Sequence, residues 1–337
     1  AADGDPLGPG RYHGVAASLT FVEGDLAAAY APTEAWTFGV AGRLVYGALS
    51  STKSMDTGTL LFGMLGPESG VPLGDPFLEG TIALEGLGGW GGGAAVGARW
   101  SPASGHTVDF AARSPVAIAL SGDATLVPSK NLTMVVDARV DAHVVLPAEV
   151  TLAARLPAGA AHVGVEVGWI GWSSAARIES ALGDVRISAS DPTMQAVLAS
   201  YGLTEEGFVD GLGEQASATG MRDVVTEGLW VELPAGEHVD LRAGAWHAPP
   251  AVPDGYVHPG NADFRTIDLR AAAAIRASRG LVIAVTGDLF VAGERDVDDS
   301  AYAPTAAGAS GMALPPADGT YALSAGRLGL TVLVRPG

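Results

Sequence analysis

Over most of its length the chain alternates apolar and polar residues with a period of two, the spacing of a β-strand with one apolar face. Trp36, Phe38, Val40, Leu44 and Tyr46 fall on one face, and Thr37, Ala41 and Arg43 on the other. Leu132, Met134, Val136, Val140 and Val144 oppose Asp137, Arg139, Asp141 and His143. Val150, Leu152 and Leu156, then Val163, Val165, Val167 and Trp169, repeat the pattern on either side of a "PAGA" turn, and Leu281, Ile283, Val285 and Leu289 repeat it later. About a dozen such segments are separated by stretches rich in Gly, Pro, Asp and Ser, which are hairpin signals. Short separators alternate with long ones such as Val252–Ala262 and Glu294–Gly319. One segment, Pro192–Gly213, loses the period of two and predicts a short helical insertion. With no low-complexity linker and no fixed-length repeat, the pattern predicts one all-β domain over residues 1–337, interrupted at 192–213.

Periodicity leaves two architectures open. In a soluble sandwich or barrel the apolar faces point inward. In a membrane barrel they meet lipid, and the polar faces line a lumen. The opposite charges in Asp137, Arg139 and Asp141, and the alternation of short and long connections, favour the membrane barrel. An aromatic content of 7% counts against it, because two interfacial girdles need aromatic rings.

Composition narrows the function more than the fold. The 337 residues carry a formal net charge of -18 with only two lysines, Lys53 and Lys130. Nucleic acid is thereby excluded as a partner, since phosphates need basic surface. Cysteine is absent, which removes disulfides, thiol catalysis and zinc–thiolate sites. No apolar run approaches the ~18 residues of a membrane helix. The opening "AADGD" fits a mature terminus left by a signal peptidase and fits a truncation equally.

Little in the sequence points to chemistry. His106, His143, His162, His238, His247 and His258 have no metal-type spacing, and no Gly-x-Ser-x-Gly elbow occurs. No catalytic residue, metal ligand or cofactor is therefore assigned. The acidic stretch "GERDVDDSAYA" (Gly293–Ala303) lacks the glycine and terminal glutamate of a calcium loop and reads as a solvated loop. "GLGGWGGGAAVG" (Gly86–Gly97) is followed by no helix, so it suggests close backbone approach or a bent strand. The row Asp137, Arg139, Asp141 and His143 fits a ligand's polar head or, as such rows more often do, ion pairs inside a lumen.

Four stretches, in order, resemble the FadL-type family of outer-membrane transporters of long-chain fatty acids and other hydrophobic compounds. They are Tyr30–Gly47, Gly88–Ala124, Leu146–Ser174 with its Trp169, Trp172 and Ser173, and the late "LRAG…PAVPD…P…D-x-R" pattern carried by Leu241–Gly244, Pro250, Pro253, Asp254, Pro259, Asp263 and Arg265. The resemblance covers most of residues 24–290. The Asn-Pro-Ala signature of the family's lumen hatch is not present in this sequence. The resemblance implies a transmembrane antiparallel β-barrel of about 14 strands, with the helical insertion in an extracellular connection. It implies a bacterial outer membrane, with its lipids or lipopolysaccharide as surroundings, and a hydrophobic small-molecule ligand. An alternative is a structural or interaction barrel, one subunit of a surface assembly with a protein partner. A soluble all-β binding protein is a third reading.

In this frame Val150, Leu152, Leu156, Val163, Val165 and Val167 are expected to face lipid. Trp246 shares a face with Asp240 and Arg242 and is expected either to point inward or to sit at the strand end as an interfacial anchor. The candidate ligand-binding residues are Arg242, Trp246 and Phe290, with Met194, Leu198 and Phe208 on the insertion near the entrance. Small and apolar inward positions are expected at Ala95, Gly97, Ala117, Ala119, Gly164, Gly168, Val282 and Ala284.

Overall fold

The computed structural model describes residues 16–58, 78–129, 134–192, 215–257, 263–278, 281–298, 319–322 and 324–334, with isolated positions between them. The strands are β1 (Ala16–Tyr30), β2 (Trp36–Asp56), β3 (Glu79–Trp100), β4 (Thr107–Arg113), β5 (Val116–Val127), β6 (Met134–Leu146), β7 (Glu149–Ala158), β8 (Ala161–Ile170), β9 (Arg177–Ala189), β10 (Gln215–Ala218), β11 (Val224–Pro234), β12 (Val239–Ala248), β13 (Thr266–Ser278), β14 (Leu281–Ala292), β15 (Arg295–Val297), β16 (Gly319–Tyr321) and β17 (Ser324–Val334). Fifteen form one sheet, and β15 and β16 form a separate hairpin.

Four pairs of strands run end to end: β4 into β5, β6 into β7, β8 into β9, and β10 into β11. The fifteen strands therefore make eleven staves, each paired antiparallel with the next in chain order. An antiparallel meander puts alternate connections at opposite ends. The short turns at 31–35, 101–106, 159–160, 235–238 and 279–280 share one end. Gly159 sits in the "PAGA" turn at φ 66, a conformation that favours glycine. The longer connections, including 190–214, share the other end. Of the insertion, Pro192, Gln195, Ala196 and Ala199 lie in helical turns. The rest of it, including Met194, Leu198 and Phe208, lies outside the described residues. A single cavity touches staves from β1 to β12, so the sheet curls strongly around it. Among the described residues no ladder joins β1 to β17. The family's count of about 14 staves thus goes beyond the described chain.

The cavity defines the sheet's inner face. On most staves the apolar residues lie on the outer face and stand exposed, among them Val40, Val96, Leu152, Val165, Leu229, Leu269 and Leu289. Of the six residues expected to face lipid, Leu152, Leu156, Val163, Val165 and Val167 are exposed and Val150 is half-buried.

A seam crosses four adjacent staves where their strands meet, at residues 114–115, 147–148, 171–176 and 219–223. Above it, toward the long connections, the burial is reversed on β5 and β6. Phe110 of β4 is exposed, yet Val116, Ile118 and Leu120 of β5 are fully buried. They pack with Val45 of β2, Leu87 of β3, and Val140 and Ala142 of β6. Leu126, Met134, Val136 and Val185 make a second cluster beside the first.

This corrects two expectations. Met134, Val136 and Val140 face a protein core rather than lipid. The row Asp137, Arg139, Asp141 and His143 lies on the opposite, exposed face, not in an ion-paired lumen. Arg139 and Asp141 have side chains 54% and 62% exposed and approach only to 3.9 Å. The physical reason is the seam. On the β4–β5 and β6–β7 staves two irregular residues, 114–115 and 147–148, turn the stave over by one register step, while the sequence keeps its apolar residues at even positions. Ala117 and Ala119, expected in the interior, are likewise exposed on the face opposite the core.

The glycine-rich part of β3 makes this arrangement fit. A side chain at Gly89 would collide with the carbonyl of Ala119, and one at Gly91 would meet the carbonyl of Ala117 at 2.5 Å. β5 thus lies with its backbone against the inner face of β3, an approach only glycine permits. At the long-connection end, the proline-rich loop after β12 is clasped to the β15–β16 hairpin. Arg295 pairs with Asp254 at 2.5 Å and donates to the carbonyls of Val252 and Asp263. Val252, Val257 and Val297 are buried beneath it.

Candidate functional site

The inner face below the seam carries polar and aromatic side chains projected from β7, β8, β11, β12 and β13. Their placement follows from cross-strand rows. In one row Arg155, Gly164, Trp230 and Gly244 stand side by side on four staves. Trp230 is large and its two row neighbours are glycines, so its indole lies flat across Gly164. The adjacent row brings Glu166, Gly228, Trp246 and Asp268 together, with Trp246 beside Gly228. Trp230 and Trp246 are only 7% and 9% exposed.

Each indole carries a guanidinium on its face. Arg242 stands 4.0 Å over the Trp230 ring and Arg270 4.4 Å over the Trp246 ring. Such cation–π contacts contribute ~0.5–2 kcal/mol, more as water is excluded. Trp246 donates through Nε1 to Glu166 at 3.1 Å. Arg155 pairs with Glu232 at 3.2 Å and touches His162 Nδ1 at 3.0 Å. Arg99 pairs with Asp109, and Arg270 with Asp268, each at 2.5 Å. Nearer the seam Arg43 holds Glu23 through two bonds of 2.8 and 2.9 Å.

Many of these groups line two adjoining cavities. The larger, about 740 Å³, runs from Ala29 and Thr37 past Arg99 and Asp109 to Arg155, Trp230 and Arg242. The smaller, about 320 Å³, is lined by Trp246, Arg270, Thr286 and Asp288. Glu166 and Arg242 belong to both. Among the described residues no three His, Asp or Glu side chains come together to hold a metal ion.

The outer face has its own order. Trp36 stacks on Phe38 at 5.7 Å and lies 6.5 Å from Trp100, near the short turns. Tyr46 and Trp90 form a second pair at 5.0 Å, higher on β2 and β3. On β2 and β3 the outer aromatics are thus gathered into two groups with apolar surface between them.

No protein-family model matches the chain, and no curated protein does. Solved structures do match. A Pseudomonas aeruginosa FadL homologue superposes with a TM-score of 0.68 at 14% identity, covering 98% of this chain and 68% of that one. The Pseudomonas putida toluene transporter TodX gives 0.61 at 14% identity, covering 83% and 66%. The CymD monoaromatic hydrocarbon channel gives 0.59 at 17% identity, covering 82% and 70%. The fold is that of the FadL-type proteins.

Within this FadL-type fold the expected site residues are only partly gathered. Arg242 and Trp246 lie on the inner face, as their shared register with Asp240 implied, and line the smaller cavity. Phe290 is half-buried on the same face of β14, opposite Asp268. Gly97 lines the larger cavity, and Gly164 and Gly168 lie under Trp230 and Thr226. Sequence reasoning missed Trp230, Glu166, Arg155 and Arg270. Their signal was present in part: each alternates with outward apolar neighbours, and Gly164, Gly244 and Gly228 stand opposite the two indoles across the ladder. Only the strand register reveals it.

Proposed function

We propose that this protein is a bacterial outer-membrane channel that binds and passes hydrophobic small molecules. The observation that carries the reading is the outer face of β2 and β3. Trp36 and Tyr46 are ten residues apart. At about 3.3 Å per residue and a tilt near 40°, the two aromatic groups stand about 25 Å apart, the height of a barrel's apolar band. A sheet with such a band outside and a cavity inside is built to sit in a bilayer. The printed roles of the structural neighbours, a toluene transporter and a monoaromatic hydrocarbon channel, support an apolar cargo. Long-chain fatty acids are a second cargo to test.

Trp246 and Phe290 would supply apolar contacts inside. Met194, Leu198 and Phe208, on the insertion at the long-connection end, would form the entrance. The ion-paired floor suits an apolar solute poorly. The ladder on one edge of β3 is interrupted between Gly88 and Ala95, beside the crossing of β5, and an apolar solute would leave through the wall there. A second reading, a structural barrel, is favoured by the core of Val45, Leu87, Val116, Ile118 and Leu120, which fills space near the seam with the protein's own side chains.

Saturable binding of radiolabelled toluene and oleate to the purified protein in detergent tests the channel reading, and Trp246→Ala should weaken whichever compound binds. If neither compound binds saturably, and the protein still inserts into liposomes, the structural reading takes its place.

A further inference from the structure

The two cavities meet at Arg242, and the charges around it are unevenly satisfied. Four arginines line these cavities. Arg99, Arg155 and Arg270 each hold an ion pair. Arg242 holds none among the described residues. Its cross-strand neighbour is Glu232, the carboxylate it would be expected to take. That carboxylate is instead occupied by Arg155, and Glu166 is occupied by Trp246 Nε1. Arg242 is swung onto the Trp230 ring, exposed, with one face of its guanidinium on the indole.

A second observation points the same way. Trp230 Nε1 and Arg155 Nε are buried donors with no acceptor among the described residues. They belong to one cross-strand row, in which the Trp230 indole lies beneath the guanidinium. A buried donor without an acceptor costs about 1–3 kcal/mol. Two donors near Arg242 thus lack an acceptor, and the one other buried polar atom without a partner among the described residues, Asp268 Oδ1, lies in the neighbouring row opposite Trp246.

We propose that Arg242 is the recognition element for an aromatic monocarboxylate bound where the two cavities join. The edge of a guanidinium is a fork that matches a carboxylate through two parallel hydrogen bonds. Its faces stack on aromatic rings. One face already rests on Trp230, which holds the group flat, and the other is turned to the cavity. The carboxylate takes the fork edge-on, and because an aromatic carboxylate is flat, its ring then extends in the plane of the guanidinium, continuing the flat surface that rests on Trp230. The surroundings fit a small polar ligand better than a long alkyl chain, because Thr37, Arg99, Ser101, Asp109 and Thr151 recur around the larger cavity. The inference rests on the channel reading for its location inside the sheet, and it adds an anionic cargo to the apolar one.

The test uses the full chain in detergent at neutral pH with three probes: benzoate, toluene and hexanoate. Binding is read by calorimetry and by the change in tryptophan emission, since a ligand at Arg242 perturbs the Trp230 indole. Benzoate should bind more tightly than both others. In Arg242→Gln the preference for benzoate over toluene should fall by about tenfold or more, as expected for losing a charge-assisted bidentate contact. Arg242→Lys, which keeps the charge and loses the fork and the stacking plane, should recover only part of it. Both variants are first checked for the native heat-modifiable band. Benzoate binding no tighter than toluene, or a preference unchanged in Arg242→Gln, overturns the proposal. Equal affinity for benzoate and hexanoate overturns the aromatic assignment. If toluene and oleate fail to bind while benzoate binds through Arg242, the apolar cargo is wrong and the carboxylate site stands.

Discussion

β7 and β6 belong to one stave and share one sequence pattern, yet they bury opposite faces. In β7, Leu152 is 53% exposed, and the inner Thr151, Ala153 and Arg155 line the cavity. In β6, Val136 and Val140 are buried and Asp137, Arg139 and Asp141 are exposed. β4 and β5 repeat the contrast, with Phe110 exposed and Ile118 at 0%. An alternating strand specifies that its two faces differ and says nothing about which one meets lipid, water or protein. That choice belongs to the partner surface. Below the seam the inner partner is a polar cavity, and in the proposed membrane setting the outer one would be a bilayer. Above it the apolar face finds β2 and β3 across a glycine floor, and the polar face is left to solvent.

The contrast can be broken by substitution. Ile118→Ala should cost about 4 kcal/mol in micelles and in bilayers alike, because its cavity opens inside protein. Leu152→Ala should cost under about 1 kcal/mol, since lipid or detergent fills the space. Equal costs at the two sites, measured by reversible urea unfolding, would remove the distinction between the regions.

Next comes the glycine floor. Gly89→Ala places a methyl group against the Ala119 carbonyl and should destabilise by about 3 kcal/mol, the upper range for overpacking. Gly92→Ala is the control, since its nearest atom is the Arg43 carbonyl oxygen at 3.9 Å. A neutral Gly89→Ala would mean that β5 does not cross β3 as described.

The charged rows give the smaller effects. Arg155→Ala should cost about 1–2 kcal/mol, because it strips a half-buried pair and leaves Glu232 in the cavity. Arg139→Ala should cost less than about 0.5 kcal/mol, as expected for a long exposed pair. The reverse order would put the Asp137–His143 row back inside.

These outcomes bear on what a sequence reveals. The strands, the two ends with short and long connections, and the inward register of Trp246 with Arg242 were legible, because each depends on neighbours two to ten residues apart. The seam was not. Val108, Phe110, Ala112, Val116, Ile118 and Leu120 all occupy even positions, so the alternation runs unbroken through Ser114 and Pro115 while the backbone turns over. The pairing of Arg155 with Glu232 was also hidden, since 77 residues separate them and only the ladder through β8 joins them. The glycines of "GLGGWGGG" suggested close approach, and the structure supplies what approaches.

The most direct test of the reversal across the seam is spin-label accessibility in liposomes, made simple by the absence of cysteine. Single cysteines at Phe110, Leu152, Ile118, Val140 and Asp141 would carry the label. Labels at Phe110 and Leu152 should relax with lipid-dissolved oxygen, labels at Ile118 and Val140 with neither oxygen nor a water-soluble nickel chelate, and a label at Asp141 with the chelate. Oxygen access at Ile118 and Val140 equal to that at Leu152 would contradict the account, because the apolar face would then meet lipid on both sides of the seam.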